Sequence, residues 1–515
     1  LLLLLIQFGV FNTMAQPLRV AVSVVTILTL FLVPHAAAVR VYSTLQSPAE
    51  HPLAQRRAVT PPEYSDFGPS GVGFMGLRSL TQSVNGTLDM DSVRSVLDQY
   101  TVTHDVISVI WPNSRVFAAP NFPELTTELT KRNLGLMFGG FVPGGRQQYN
   151  TSMYVPHTNH LGAAKAMGPK YLGMGQSEQD IRFLWGYAKN SVTLDGDSNF
   201  EAFRVFNNYA NTLEQLSGNQ LFVLARGVFT HHYLQTGLYT VAGAELSGRP
   251  PAQVTYAFIR GASKQYGTLI FSDVCTFTGW GHKVPGDPAP TPCTPGSSSH
   301  GPTCGTSYSS VKRLTYNTLL SDVALVGFED DLFYPSLTPG SVNTTLSPMG
   351  KMLAGAKQWV AHMPQAQRGV HLSTTGLLID YFAGWETPCS DPAWPFSTRY
   401  GQVDYVAPDF LTDGVLELAY PGYRSAGYYK DAAYELSPTP YGDVFDVLLS
   451  DVSANLLNRY DTIIVAHELT TRFRVVADNL ESFVLNGGHL VMTWDSLADL
   501  DGTSIADVSA QHSSS

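Results

Sequence analysis

Two stretches of this sequence end in acids where a buried strand should end in nothing charged. YLGMGQSEQD at 171–180 runs from apolar residues into Gln176, Ser177, Glu178, Gln179 and Asp180. VALVGFEDDLFY at 323–334 runs through Phe328 into Glu329, Asp330 and Asp331. An ionised carboxylate gains nothing from an apolar core and is costly to bury unpaired. Facing another carboxylate across a cleft, it gains a use. One acid kept protonated donates to a leaving oxygen, and the other, ionised, attacks a carbon or activates water. The pair tunes itself, because the charge on one raises the pKa of the other. A lone loop glutamate would be unremarkable. The matched pair, Glu178 and Glu329, is what points to acid/base work, with Asp180, Asp330 and Asp331 as supporting or solvated neighbours.

Other side chains fit the same chemistry. Trp111 in VIWPN and Trp280 in FTGWGH each follow an apolar run. Sugar rings stack on such aromatics, and packing at the rim of a core is the equal alternative. Arg226 and the pair His231-His232 follow QLFVLARG and are candidates to bind hydroxyls or an acidic group. No CxxC or HExxH spacing is present, so neither a metal nor a cofactor is expected.

Elements that would position these residues can be read from the apolar pattern. Strands are expected at GVGFMGLR, DVISVIW (105–111), LGLMFGGFV (134–142), YLGMG, QLFVLARG (220–227), GTLIFSD (267–273), VALVGF and GLLIDYF (376–382). Helices are expected between most of them: DMDSVRSVLDQY capped by Asp91, FPELTTELTKRN, 200–217, 251–264, 309–320, and one opened by Ser347-Pro348. Near-continuous apolar strands alternating with helices imply a parallel sheet covered by helices. Eight such units over 69–395 predict a (β/α)8 barrel rather than an open doubly wound sheet. Barrel sites sit at the C-terminal ends of the strands, and in this count Glu178 closes strand four and Glu329 strand seven. From 400 to 515 a second α/β domain is expected, an open sheet with strands at GVLELAYPGY, FDVLLSD, DTIIVAHEL and HLVMTW. Its helix VVADNLESFVLNGG ends at Gly487, and it reads as incomplete at QHSSS.

Glutamates closing strands four and seven of such a barrel resemble the signature of glycoside hydrolase clan A. The resemblance implies that Glu178 of GQSEQD is the acid/base and Glu329 of VGFEDD the nucleophile of a retaining double displacement. Ser177 stands where the clan places an Asn that binds the sugar 2-hydroxyl, with Gln176 beside it as a possible substitute. Trp385 in YFAGW matches the aromatic platform after strand eight. LESFVLNGGHLVMTW resembles the helix–Gly-Gly–strand unit of class I amidotransferase-like folds. Family 42 β-galactosidases carry such a domain directly after the barrel, where it helps trimers form. The implied substrate is a β-linked galactoside or related polysaccharide, and the implied assembly a homo-oligomer through the second domain. With no cysteine after Cys389, that domain has no amidotransferase nucleophile. A non-catalytic carbohydrate-binding or structural glycoprotein on a degenerate barrel is the other class left open.

Composition sets the setting. Charged residues are 14% of the 515 and the formal charge is −11, which excludes the clustered cations a nucleic-acid partner needs. The chain opens on Leu1. Met14, Arg19, the apolar VAVSVVTILTLFLV and Ala36-Ala37-Ala38 have the layout of a signal peptide over 1–38, cleaved after Ala38. A run of 14 residues is short for a membrane span of about 20, so no lasting membrane insertion is expected. The proline-rich stretch 39–68 reads as a loose lead-in. Export fits the sequons at Asn85, Asn150 and Asn343, and it permits disulfides among Cys275, Cys293, Cys304 and Cys389.

Overall fold

The computed structural model describes residues 40–42, 67, 70–76, 86–112, 114–139, 158–176, 199–217, 221–225, 227–235, 239–246, 252–274, 308–328, 345–368, 370–385, 398–400, 403–423, 439–466, 469, 474–493 and 496–497. The strands are β1 (Arg40–Tyr42), β2 (Gly73–Gly76), β3 (Val109–Ile110), β4 (Gly135–Gly139), β5 (Tyr171–Gln176), β6 (Leu221–Leu224), β7 (Tyr239–Leu246) and β8 (Leu269–Val274). They continue with β9 (Val323–Phe328), β10 (Thr375–Ile379), β11 (Thr398–Arg399), β12 (Val403–Asp404), β13 (Phe445–Leu449), β14 (Thr462–Val465) and β15 (His489–Met492). The helices used below are α1 (Met90–Leu97), α2 (Phe122–Lys131), α3 (Thr158–Met167), α4 (Asn199–Ser217), α5 (Phe229–Leu234), α6 (Ala252–Tyr266), α7 (Tyr308–Leu319), α8 (Pro348–His362), α9 (Ala407–Ala419) and α10 (Arg474–Leu485).

β2 to β9 pair in order as a closed ring. Every pairing is parallel, and β9 returns to β2 through Leu325 opposite Gly73. Alternation along the strands separates two cores. Met75, Val109, Trp111, Met137, Leu172, Val241, Phe271 and Leu325 fill the barrel interior. Phe74, Ile110, Tyr171, Ile270 and Val326 face outward, onto helix residues such as Leu97, Leu125, Phe206, Tyr256 and Leu353. Large and small interior residues complement one another: a side chain at Gly327 would run into Met75, and one at Gly243 into the Phe271 ring. Helix ends follow local chemistry. Ser347 Oγ accepts from Gly350 N–H ahead of Pro348, as expected. For α1 the cap is Asp89, whose carboxylate accepts from Asp91 and Ser92, and not Asp91.

The barrel closes with eight strands, but not the eight expected. β7 (YTVAGAEL) was not anticipated. It follows β6 after only the short helix α5, and its Thr, Ala and Gly residues break the apolar run by which the other strands are recognised. Counting it makes β8 the seventh strand and β9 the eighth. GLLIDYF, expected as strand eight, supplies β10 of a separate five-stranded sheet of order β1-β15-β14-β10-β13. A strand at the centre of a sheet covered on both faces has the same apolar signature as a barrel strand, so sequence alone could not separate them.

The second sheet therefore begins at Thr375, inside the range 69–395 assigned to the barrel, and not after 400. β10, β13, β14 and β15 are mutually parallel, in the order of a doubly wound sheet. β1 adds antiparallel to β15, so residues 40–42 of the expected loose lead-in form an edge strand. GVLELAYPGY is not a strand: its first six residues end α9. Leu411, Val415, Leu416 and Ala419 share one helical face, Pro408 sits in the first turn, and Asp409 accepts from Val406 N–H. One face of the sheet packs on α10 through Val476, Leu480 and Phe483. The other packs on α9 and on Val254, Ala257 and Phe258 of barrel helix α6.

Candidate active site

Among the described residues, the C-terminal ends of the ring carry Gln176 and Asp273. Gln176 is the last residue of β5, the fourth barrel strand, and pairs with Val223 of β6. Glu178 and Ser177 follow it and lie outside the described residues, as do Arg226, Trp280 and Glu329. Glu329 comes directly after Phe328, the end of β9. The strand leading to it is thus the eighth, opposite the fourth across the ring, and not the seventh.

β8 holds the seventh position, and it carries an acid that the sequence reading passed over. Phe271 faces the interior, and Ser272 faces outward to bond the Tyr256 hydroxyl at 3.0 Å. Asp273 therefore faces the interior again, one residue from the strand's end. It pairs in register with Gly327 of β9 on one side and with Glu245 of β7 on the other. Asp273 is 1% exposed. A carboxylate so placed contributes nothing apolar to the core. The signal for its inward-facing side chain was available in the alternation of LIFSDV, and counting β7 puts it on the seventh strand of the ring.

Trp111 extends the same wall. It follows β3, donates its backbone N–H to the Gly76 carbonyl at 3.0 Å, and meets the Phe271 ring edge-on at 6.2 Å. It is mostly buried, so it forms the floor of the mouth and not a projecting platform. Met75, Met137 and Leu172 belong to the same buried cluster.

Two expected binding residues are elsewhere. Trp385 is fully buried and stacks parallel on Phe258 of α6, with ring centroids 5.0 Å apart. It follows β10, not a barrel strand, and so packs between barrel and sheet instead of facing a sugar. His231 is also fully buried, in α5, with Nε2 2.9 Å from the Val447 carbonyl of β13. A carbonyl only accepts, so Nε2 carries the hydrogen. Burial pushes the His231 pKa down to about 3, which keeps the ring neutral. His232 beside it, pushed by burial to about 4, bonds the Ala383 carbonyl and the Tyr400 hydroxyl. Neither imidazole reaches solvent. Asp380 is buried at the end of β10 and accepts from Phe382 N–H.

Among the described residues no group of three His, Cys, Asp or Glu could hold a metal ion, and no helix is long and apolar enough to cross a membrane. The four cysteines, the three sequons and residues 1–38 lie outside the described residues.

No family model matches the chain, and no curated protein matches it. Among solved structures, its neighbours include glycoside hydrolases. A β-galactosidase from the psychrophilic Marinomonas ef1 is 11% identical, with 80% of this chain and 74% of that chain covered and a TM-score of 0.43. A catalytic mutant of a family 42 β-galactosidase from G. stearothermophilus is 11% identical over 82% and 71%, with a TM-score of 0.45. The catalytic module of a family 98 glycoside hydrolase from Streptococcus pneumoniae TIGR4 is 8% identical over 89% and 69%, with a TM-score of 0.41. At TM-scores below 0.5 these likenesses establish neither fold nor activity, and the barrel is defined by its own strand pairing.

Proposed function

We propose that this chain is a glycoside hydrolase whose active site is the C-terminal rim of the barrel, acting on a β-linked galactoside or related polysaccharide. The supporting observation is the closed ring itself. It places at one rim a buried, inward-facing Asp273 and the ends of the strands that lead to Glu178 and Glu329. In this reading Glu178 protonates the departing glycosidic oxygen. Trp111 offers an apolar floor to the sugar ring, Trp280 is a candidate to stack on it, and Ser177, Gln176 and Arg226 are candidates to bind its hydroxyls.

Two routes remain for the second carboxylate. In double displacement Glu329 attacks the anomeric carbon, and Glu178 then deprotonates the water that releases the sugar. That route needs carboxyls about 5–5.5 Å apart. In single displacement Glu329, with Asp273 on the neighbouring strand, takes a proton from water that attacks directly, across a gap of about 6.5–9.5 Å. Following the anomer first released from an aryl β-galactoside by NMR decides between them. Retention supports the nucleophile role of Glu329, and inversion the water-activating role.

The remaining parts of the proposal concern setting. The chain is read as exported after cleavage at Ala38, glycosylated, and disulfide-bonded. The five-stranded sheet is read as an amidotransferase-like unit without a cysteine nucleophile, suited to assembly of a homo-oligomer. Mass measurement of the secreted chain, before and after deglycosylation and reduction, tests the first part, and light scattering tests the second.

A further inference from the structure

Among the described residues β13 is an edge strand, and an edge strand presents main-chain groups that no neighbouring strand pairs. Here the free side of β13 is taken by barrel side chains. The Phe445 carbonyl accepts from Arg260 Nη2 at 2.9 Å, and the Val447 carbonyl from His231 Nε2. The Leu449 carbonyl accepts from Gln265 Nε2 at 3.2 Å, while Leu449 N–H donates to Gln265 Oε1 at 3.0 Å. Arg260 and Gln265 both lie on α6, and Gly261 between them has no side chain because the Val447 carbonyl occupies that space. Arg260 is fully buried and is further held by Asp446, at 3.0 Å from Nε, and by both oxygens of Asp443. Tyr420 donates to Asp443, and Lys264 and Tyr460 donate to Asp446, which fixes the two acids in turn.

The same helix holds the back of the active-site strand. Tyr256, one turn before Arg260, donates its hydroxyl to Ser272 Oγ at 3.0 Å and also meets Thr318 of α7. Ser272 immediately precedes Asp273. α6 thus bridges β13 on one face and the Ser272–Asp273 segment of β8 on the other.

We infer that the second sheet is a positioning element of the catalytic rim: through Asp443–Arg260 and Tyr256–Ser272, α6 sets where the Asp273 carboxylate sits. The inference rests on the reading of Asp273 as a rim carboxylate of a glycosidase. An error of about 1 Å in such a group can lower turnover by about a hundredfold without loss of binding. Tyr256 and Asp443 touch no substrate, so their effect must pass through position.

The test uses the full chain as wild type and as Tyr256→Phe, Asp443→Asn and Asp273→Asn, assayed on an aryl β-galactoside across pH, well below each melting temperature. The inference expects Tyr256→Phe and Asp443→Asn each to lower kcat by about tenfold with KM within about twofold, and to displace the acid limb of the kcat/KM profile. Asp273→Asn should lose most turnover. A fall in melting temperature with wild-type kcat and pH profile, in both Tyr256→Phe and Asp443→Asn, would reduce α6 to a structural tie and overturn the inference while the glycosidase reading stands. Full turnover in Asp273→Asn would overturn the inference and leave the glycosidase reading standing on Glu178 and Glu329, whereas no cleavage by the wild type would remove both.

Discussion

At the scale of single residues, burial separates the candidates. Trp111 and Trp385 are both tryptophans after apolar strands, and sequence gives no reason to treat them differently. The structure does: Trp111 lines the barrel interior beside Phe271, whereas Trp385 is stacked on Phe258 between barrel and sheet. Trp385→Ala should therefore lose roughly 3–5 kcal/mol of stability, the usual loss for a buried tryptophan, and leave KM of the surviving folded protein unchanged. Chemical denaturation beside a Michaelis analysis checks this. A raised KM at unchanged stability would return Trp385 to the sugar site. His231 teaches the same lesson. A His-His pair after a strand reads as a candidate to bind hydroxyls or an acidic group, yet His231 caps a strand edge as a neutral donor and His232 bonds the Ala383 carbonyl. What was missed, Asp273, was missed because a lone acid at a strand end means little until its strand is known to be the seventh.

At the scale of elements, apolar strands and amphipathic helices were legible, and their membership of sheets was not. The residues of β2 to β6, β8 and β9 were each recognisable from apolar runs, and α2, α4, α6, α7 and α8 from helical spacing and caps. β7 escaped because small and polar residues are tolerated on a strand whose interior neighbour, Phe271, fills the space above Gly243. β10 was recognised as a strand but placed in the wrong sheet, since both sheets bury both faces of their central strands. The residues ending α9 were read as a strand because Pro408 and Asp409, which start the helix, precede the quoted apolar stretch. α6 is the element on which most depends. Gly261→Ala would push a methyl against the Val447 carbonyl, where only backbone could yield, and should destabilise by about 1–3 kcal/mol despite alanine's better helix propensity. A melting temperature equal to or above wild type would show that helix and edge strand are not in such close approach.

At the scale of the whole molecule, barrel and sheet meet through buried, charged and histidine-rich contacts, and this sets a pH dependence. Burial depresses His231 to about 3, and His232 and His371 to about 4, from an ordinary 6.5. In the unfolded chain these rings take up protons as pH falls through 6.5, while in the folded chain they stay neutral until 3–4. The unfolded state therefore binds more protons in that window, so stability is full above 6.5 and falls steadily below it. Asp322, raised above 3.8 by burial, opposes this only in the carboxylate range. Melting temperature should decline from neutral pH toward 4, and a flat profile between pH 7 and 5 would mean that the imidazoles are not buried neutral. The account's central claim is that the closed rim hydrolyses glycosides with Glu178 as proton donor. The most direct measurement compares wild type and Glu178→Gln on aryl β-galactosides of graded leaving-group acidity. The account predicts cleavage by the wild type and a loss in the variant of about 10²–10⁴, largest for the poorest leaving group. No cleavage by the wild type, or equal rates in the two proteins, would contradict it.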